Sequence, residues 1–446
     1  MFPLGLCYLA TVLTRHTVKI LDLNLWDRRA AGEVLSRTLV EQKPDVIGLS
    51  IRNIDTTQRG DIFYYFKEVQ PTARLIKQTS PGARLIAGGS GFSIFPQKIM
   101  ERIPEFDLGL FLEAEESLPE LLDNLNSPGN VPGVYFRNRG SIVFSGARAL
   151  PDFARLPIPR RGHDLIDMAA YTRSDGSNMG IQSKRGCCLT CAYCNYPHLS
   201  GRQLRWRAPE QVADEVQSLV SLGARRFCFV DNVFNVPVAH AEAVCRELIR
   251  RNLDVEWSAW FEVKNTTREL VDLAHQAGCR HFGFSPDAAT DRGLSLLAKG
   301  ITESDLRRSY RVIRQSRGIR AGYNFFILPG MSFRAIFKTL AQVFWIPLVT
   351  MGKARVMGLG WIRIEPDTEI HRRAVAEGII AKDTDLLPEQ EEDLSNLFYC
   401  ARDHRRLDEV IMWIFWLVDT HLRPMAKRLL ARISHRPCWA VTNSKA

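Results

Sequence analysis

Cys187-Cys188-Leu189-Thr190-Cys191-Ala192-Tyr193-Cys194 places three thiols at the spacing C-x3-C-x2-C, directly after Lys184-Arg185-Gly186. Three clustered thiolates can hold three irons of a 4Fe-4S cluster, whereas a cluster used for electron transfer usually takes four. The fourth iron then stays open to a substrate or a cofactor. The spacing therefore predicts an open iron–sulfur centre held by Cys187, Cys191 and Cys194, with Cys188 out of register as a non-ligand.

Zinc is the main alternative ligand for these thiols. A zinc site would need a fourth Cys or His at regular spacing, and His198, four residues after Cys194, is the residue that could supply it. Disulfides are disfavoured because the chain shows no secretory signal and its other cysteines are scattered singly in apolar surroundings.

The cysteine spacing, with Tyr193 before the third ligand and the Lys-Arg-Gly in front, resembles the signature of the radical S-adenosylmethionine (SAM) superfamily. The resemblance implies that the open iron chelates the amino and carboxylate groups of SAM. It also implies that an electron from the cluster cleaves SAM to a 5′-deoxyadenosyl radical. The SAM-binding residues that follow from the resemblance are Tyr193, Asp231, Asn232, Ser285 and Asp287. A helix cap or an Asx-turn remains the alternative use of Asp231 and Asn232.

Residues 1–125 alternate short apolar strands with helical stretches. The expected strands are Val18–Leu23, Asp45–Ser50, Arg84–Ala87 and Asp107–Leu112, with helices between them. This alternation predicts a doubly wound parallel sheet, in which ligands bind at the carboxyl ends of the strands.

The segments around Ser50 and around Gly88-Gly89-Ser90-Gly91 resemble the cobalamin-binding domain found in front of many radical SAM domains. The resemblance implies that Ser50, Gly88, Gly89 and Gly91 line the slot for the nucleotide tail of cobalamin, where glycines permit close approach and a hydroxyl can bond a ring nitrogen. Phe2-Pro3-Leu4-Gly5 stands where the cobalt-ligating H-x-x-G would be, so no His ligand to cobalt is expected. The opening strand expected before Pro3 is missing, the glycine-flanked G-E-G-E turn reads Leu112-Glu113-Ala114-Glu115, and a domain that no longer binds cobalamin is the alternative.

Residues 126–178 are interpreted as a linker, residues 179–394 as a partial (β/α)6 barrel and residues 395–446 as a helical cap. The barrel strands are expected near 179–184, 226–230, 255–261, 281–285, 321–328 and 355–364. Glu365-Pro366-Asp367-Thr368 resembles the P-G-T turn that follows the sixth strand in the superfamily. Because both sheets bind ligands at strand carboxyl ends, the substrate is expected between the two domains.

Composition is that of an ordinary globular protein, with 446 residues, 46% hydrophobic, 24% charged and a net charge of +10. The longest apolar run, Val410–Val418, is shorter than the roughly 20 residues that a membrane helix needs. Residues 395–446 carry 9 Lys and Arg against 4 Asp and Glu. That excess could favour an anionic substrate or a membrane surface, and a solvated basic face is the plainer alternative. Reduced thiols and an oxygen-sensitive cluster fit a cytoplasmic location.

Together these features resemble the cobalamin-dependent radical SAM methyltransferases. The resemblance implies three cofactors (a 4Fe-4S cluster, SAM and cobalamin), a small-molecule substrate, an external electron donor such as flavodoxin or ferredoxin, and no nucleic acid. The expected activity is transfer of a methyl group from methylcobalamin to an unactivated carbon or phosphorus centre of a small-molecule or natural-product precursor. A cyclase or rearrangement enzyme using cobalamin without net methyl transfer, and a non-catalytic iron–sulfur protein, are the alternatives.

Overall fold

The computed structural model describes residues 2–59, 61–172, 179–400 and Trp413. Its N-terminal part is a sheet in the order β1-β2-β3-β4-β5, counted over the described residues, in which β1 to β3 are parallel and β4 and β5 add an antiparallel hairpin. The elements are α1 (Leu4–Val12), α2 (Arg28–Gln42), β1 (Val46–Ser50), α3 (Val69–Thr79), β2 (Arg84–Gly88), α4 (Ser90–Ile94), α5 (Pro96–Arg102), β3 (Leu108–Leu110), α6 (Ser117–Asp123), β4 (Val134–Asn138) and β5 (Ser141–Phe144). The predicted doubly wound sheet is confirmed.

The strand predicted at Val18–Leu23 is wrong. This segment runs outside the sheet: the backbone N–H of Ile20 donates to Leu165, and the Asp22 carboxylate accepts from Tyr171. In the doubly wound order 2-1-3-4-5 the second strand pairs only with the first. Within the described residues no strand precedes α1, so the segment lacks its partner and packs on the connection between the domains instead.

The predicted linker 126–178 is partly folded into the N-terminal sheet. Its hairpin β4–β5 pairs with β3, with Leu108 opposite Phe136 and Leu110 opposite Val134. The apolar residues Val134-Tyr135-Phe136 pair with β3 and cover the edge that β3 would otherwise expose, so this stretch belongs to the sheet and is not a free connection. The short helix α7 (Met168–Thr172) lies beyond it.

The C-terminal part is a six-stranded parallel sheet in the order β6-β9-β10-β11-β12-β13, counted over the described residues, and the predicted partial (β/α)6 barrel is confirmed. Its elements are β6 (Gly180–Ile181), β7 (Lys184–Arg185), α8 (Tyr196–Ser200), β8 (Arg205–Trp206), α9 (Pro209–Ser221), β9 (Arg226–Phe229), α10 (Val238–Arg250), β10 (Glu256–Phe261), α11 (Arg268–Gln276), β11 (Cys279–Asp287), α12 (Asp291–Leu296), α13 (Glu303–Gln315), β12 (Arg320–Phe326), α14 (Phe333–Val349), β13 (Ala354–Gly360), β14 (Ile362–Arg363), α15 (Glu369–Ala376) and β15 (Phe398–Tyr399). Two-residue ladders join β7 to β8 and β14 to β15.

Alternation along the barrel strands separates a helix-facing side from the inside of the barrel. Tyr323 of β12 stacks on Phe284 of β11 and contacts Tyr310 and Ser309 of α13. The strand residues that point to the same side as Tyr323 and Phe284 therefore pack against the helices. Trp260, of the opposite parity, therefore lies inside the barrel, where its indole ring covers Gly283.

Several ion pairs join the two domains. Asp55, in the loop after β1, pairs with Arg363 of β14 at 3.1 Å, and both side chains are buried. Arg102 of α5 and Lys98 both bind Asp385. None of the described helices is both long and apolar enough to cross a membrane. The predicted cap 395–446 lies outside the described residues except for 395–400 and Trp413.

Candidate active site

The cysteine loop connects β7 to α8 at the mouth of the barrel. Cys187 is buried, Cys191 and Cys194 are half-buried, and Cys188 is exposed. Burial raises the pKa of Cys187, and it raises the pKa of Cys194 to about 12, so these thiols keep their protons at neutral pH until a metal replaces them. In the described part of the chain, no three His, Cys, Asp or Glu side chains converge on a position suited to one metal ion. The donor chemistry, three thiols from one short loop, fits the cluster that the sequence predicts.

His198, which could have completed a zinc site, is used elsewhere. Its ring nitrogen lies 3.3 Å from the carbonyl oxygen of Ser93 in α4, and the ring packs edge-on against Phe111. Both partners belong to the N-terminal domain. The histidine therefore takes part in the contact between the domains.

Gly186 sets the start of the cysteine loop. Its φ is +89°, and a Cβ atom there would lie 2.1 Å from the carbonyl oxygen of Gln203. The backbone N–H of Cys187 donates to Gly201 at 3.0 Å, which ties the loop to the segment after α8. A side chain at position 186 is therefore excluded by both its conformation and its surroundings.

Arg185 fastens the loop to the N-terminal domain. Its guanidinium binds Glu113 at 2.8 Å and Glu115 at 2.6 Å, and Arg205 of β8 binds the same Glu113 at 2.5 Å. Although burial favours the protonated acid, the two arginines lower the pKa of Glu113. The Leu112-Glu113-Ala114-Glu115 turn, which departs from the usual glycine-flanked pattern, thus supplies both carboxylates that hold the loop.

Asp231 has no free acceptor position for the predicted contact with SAM. Its carboxylate accepts from the Ser183 N–H and hydroxyl at 2.8 and 2.5 Å, and from the Lys184 N–H and ammonium at 3.3 and 2.9 Å. A carboxylate offers about four lone-pair sites, and these four donors use them. Asp231 therefore orients the residues in front of the loop, and its direct contact with SAM stays a prediction.

Asn232 lies beside the loop. Its side-chain amide donates to the carbonyl oxygen of Gly186 at 3.1 Å, and it lines a small cleft together with Cys187, Cys188 and Val236. Its predicted role toward SAM remains a prediction that this position permits.

Tyr193, Asp287 and Lys299 form a connected group beneath the cysteines. The Tyr193 hydroxyl donates to Asp287 at 2.5 Å, and the Lys299 ammonium donates to the same oxygen at 2.7 Å. Burial alone would lower the pKa of Lys299, but the Asp287 carboxylate outweighs it and the pKa is raised, with a further hydrogen bond to Cys191. Sequence reasoning missed Lys299, which lies 12 residues beyond Asp287 without a motif to mark it.

Lys299 also lines a cavity of about 210 Å³ at the barrel mouth, with Cys188, Leu189, Thr190, Val236, Glu262, Lys264, Asn265, Ala298 and Gly300. Ser285 is half-buried at the end of β11, and its hydroxyl makes no hydrogen bond with any described residue. Ser285 is thus the predicted SAM-binding residue whose polar group is least engaged by the protein itself.

The four predicted cobalamin residues lie together at the carboxyl ends of β1 and β2. Ser50 pairs with Gly88 in the parallel ladder, and its hydroxyl is exposed. Gly89 has a φ of +97°, and a Cβ there would lie 2.6 Å from the carbonyl oxygen of Ile51; at Gly91 the same oxygen would lie at 3.0 Å. Two of the three glycines are therefore required by the close approach of the Ile51 backbone, and the predicted contact of this edge with cobalamin stays a prediction.

The carboxyl ends of the two sheets face each other. Helix α4, directly after Gly89, packs on α8, directly after Cys194, through His198 and Ser93. Glu365 lies at the same place, with the side-chain amide of Asn195 3.3 Å from its carboxyl oxygen. Burial raises the pKa of Glu365 to about 7, against the opposing effect of Arg363. The arrangement brings the Ser50 hydroxyl, the cysteine loop and the Glu365 carboxyl group, whose pKa is about 7, into one region.

Comparison with known proteins gives the same two domains. Residues 1–122 match the B12 binding domain, and residues 181–343 match the radical SAM superfamily. An uncharacterized methyltransferase of Pyrococcus horikoshii is 25% identical over 307 residues, covering 67% of this chain and 64% of that protein. The cytidylyl-2-hydroxyethylphosphonate methyltransferase of Streptomyces wedmorensis is 25% identical over 385 residues, covering 74% of this chain and 69% of that protein. The chain thus spans about two-thirds of the length of these two methyltransferases.

The fold matches that of the radical SAM methyltransferase TsrM from Kitasatospora setae, solved with cobalamin and a 4Fe-4S cluster bound. The TM-score is 0.73 at 22% identity, covering 86% of this chain and 76% of that one. The predicted cofactors, cobalamin, SAM and a 4Fe-4S cluster, are confirmed at the level of the domain families. The chain thus carries a B12 binding domain followed by a radical SAM domain, and it is similar to methyltransferases.

Proposed function

We propose that this protein is a cobalamin-dependent radical SAM methyltransferase that methylates an unactivated carbon or phosphorus centre of a small-molecule or natural-product precursor. The observation that carries the proposal is the contact of α4 with α8, which turns the carboxyl end of the N-terminal sheet toward the cysteine loop. A methyl carrier on one domain and a radical source on the other can then reach one substrate atom.

We infer a separate set of residues for each of the three cofactors. Cys187, Cys191 and Cys194 would hold the cluster, and Ser285 and Asn232 offer polar groups to SAM. Ser50 and the glycine edge at 88–91 would receive the nucleotide tail of cobalamin. When bound, the cluster and SAM supply a 5′-deoxyadenosyl radical and cobalamin supplies the methyl group; the protein positions them and keeps water out.

The substrate would lie between Glu365 and the loop after β1. Burial raises the pKa of Tyr196, and Arg52 of that loop is close enough to oppose this rise, so a cationic group reaches this region from the N-terminal domain. This supports a small, anionic substrate. An external electron donor, such as flavodoxin or ferredoxin, and a cytoplasmic setting that keeps the thiols reduced complete the proposal. In relatives the named substrates include a cytidylylated phosphonate and tryptophan, which gives two compounds to test first.

The test is anaerobic reconstitution with iron, sulfide, cobalamin and SAM, followed by assay of 5′-deoxyadenosine and S-adenosylhomocysteine. The two products together, with a methylated substrate, would support methyl transfer by radical chemistry. Formation of 5′-deoxyadenosine without S-adenosylhomocysteine would favour a cyclase or rearrangement enzyme. If a protein with a fully assembled cluster forms neither compound, the chain would be a non-catalytic iron–sulfur protein. Cys191→Ala is the matched inactive control.

A further inference from the structure

Helix α14 is apolar on the side that faces away from the protein. Five of its large apolar side chains are exposed, and Met351 in the following turn is exposed as well. Between 50% and 76% of each residue is accessible; the six are Phe333, Phe337, Phe344, Trp345, Leu348 and Met351. All but Trp345 recur at 333, 337, 344, 348 and 351, which places them in one line along a helix about 25 Å long. We call this line the α14 stripe.

The inner face of the same helix is comparatively polar. Thr339 and Gln342 are buried against the barrel, and the hydroxyl of Tyr310 donates to Gln342 at 3.1 Å. Val343 and Ile346 are the buried apolar residues beside them. A helix that only needed to cover the barrel would have the opposite pattern. A contiguous apolar surface of this kind marks a site of interaction.

Positive charge borders the stripe on the side of α13. Lys338 of α14 and Arg307 of α13 share Glu303, so the edge of α13 that bears Arg307 adjoins the stripe. Arg311 and Arg314 follow at four and seven residues from Arg307, both exposed, and continue that edge. Helix α14 itself contains no acidic residue, with Arg334 and Lys338 as its charges.

We propose that the α14 stripe is a docking surface for an anionic lipid bilayer, with the stripe entering the interface and the arginine edge of α13 meeting the headgroups. Phenylalanine, tryptophan and leucine beside a row of basic residues are the combination by which a surface helix binds anionic membranes. The basic segment 395–446 of this chain, with 9 Lys and Arg against 4 Asp and Glu, would be repelled by the arginine edge. A second copy of the chain bound at the stripe would place its own arginine edge against this one, and the two basic edges would repel each other.

The helix begins where β12 ends, so the first residues of the stripe lie on the same end of the barrel as the cysteine loop. A bilayer bound there would lie next to the mouth of the barrel. The proposal does not depend on the methyl-transfer activity, and its test measures binding alone.

The test is flotation of the full-length protein with vesicles of phosphatidylcholine, alone or mixed with phosphatidylglycerol. We expect binding to the mixed vesicles that weakens as salt rises. The double variant Phe337→Ser with Phe344→Ser should lower the affinity about tenfold or more, since two large apolar side chains no longer leave water. Val40→Ser, at an exposed apolar position on α2, should leave binding unchanged.

A second variant separates charge from apolar contact. Arg311→Glu with Arg314→Glu should abolish the preference for phosphatidylglycerol, whereas Arg246→Glu, exposed on α10, should not. Equal binding to both vesicle types, or full binding by the double serine variant, would overturn the proposal. So would a dimer that dissociates on the serine substitutions, or a photo-crosslinker at position 344 that captures residues 401–446 without vesicles, because the stripe would then have another occupant.

Discussion

At the scale of single residues, the loop that carries the thiols is held by charge on both sides. Arg185 ties its beginning to Glu113 and Glu115, and Lys299 ties its middle to Asp287. These side chains are largely buried, so each pair is sensitive to loss of one partner and poorly screened by salt. The position of each cysteine therefore depends on residues far from it in sequence.

The cysteine register can be tested directly. We expect Cys187→Ala, Cys191→Ala and Cys194→Ala each to lose the iron and the brown chromophore after reconstitution, because each removes one of three thiolates. Cys188→Ala should keep both, since this side chain is exposed and out of register. Iron per chain and visible absorbance measure the result. Retention of iron in Cys187→Ala with loss in Cys188→Ala would mean that the register is shifted by one.

Glu365 should make stability depend on pH. Its pKa is raised from 4.5 to about 7 in the folded protein, so between these values the folded chain holds a proton that the unfolded chain has released. Stability is therefore expected to fall as pH rises from about 4.5 to about 7 and to stay lower above that.

Glu365→Gln should abolish that fall. It should be more stable than the unsubstituted protein at pH 8, by at most a few kcal/mol since one pKa unit is worth about 1.4 kcal/mol, and the gain should shrink toward pH 5. Urea unfolding at several pH values is the measurement, with Glu256→Gln, exposed on β10, as the control. An equal gain at all pH values would mean that Glu365 does not titrate in this range.

At the scale of elements, turns decide where the chemistry is placed. The cysteine loop begins at Gly186, whose φ is positive and whose backbone lies against Gln203. The turn after β2 contains Gly89, whose φ is positive and whose backbone lies against Ile51. Both turns follow a strand end, where a parallel sheet presents its ligands. Backbone close to backbone leaves no room for Cβ, which is why glycine occurs at each.

Gly186→Ala should therefore be costlier than an alanine at another left-handed glycine. Position 186 has both a positive φ and a carbonyl oxygen at 2.1 Å from the added carbon, whereas Gly140, in the hairpin turn, has a φ of +85° and nothing within 4 Å. We expect Gly140→Ala to cost about 1 kcal/mol through backbone conformation alone. Gly186→Ala should cost more and should lower iron content, because the loop must move. Thermal unfolding and iron analysis of both variants make the comparison, and matching values would contradict the steric account.

At the scale of the whole molecule, the two domains are joined through buried charge. Asp55 and Arg363 meet at 3.1 Å with both side chains nearly inaccessible, and Arg363 also donates to Leu386. The pair joins the loop after β1 to β14, near Glu365. It therefore maintains the region in which the two cofactors would converge.

Removing one partner should destabilise the protein strongly. Arg363→Met leaves the Asp55 carboxylate buried without its cation, and we expect a loss of about 3–5 kcal/mol. The double variant Asp55→Leu with Arg363→Met should recover part of this, because neither charge is then left unpaired. Chemical denaturation measures both. Arg246→Met, which breaks an exposed pair on α10, should change stability by less than about 1 kcal/mol, and a similar loss there would argue against a special role for the buried pair.

Part of this protein could be predicted from the sequence because local rules decide it. Apolar runs and glycine turns repeat at the spacing of strand and helix, so the two sheets and the six barrel strands were predictable, as was the loop whose three spaced thiols lie within eight residues. The strand at Val18–Leu23 was not, because a strand forms only where a partner exists to accept its hydrogen bonds.

Other features were decided by the tertiary structure alone. Asp231 was predicted to face a ligand, yet its carboxylate oxygens accept hydrogen bonds from Ser183 and Lys184, which lie 48 and 47 residues away. Lys299 and the outward stripe of α14 carry no motif, and the turn motif at 365–368 does not reveal the raised pKa of Glu365. These features depend on which groups the fold brings beside them and which it leaves in water. The sequence shows which residue types are present. Their burial and the charged groups beside them are set only when residues distant in sequence pack together.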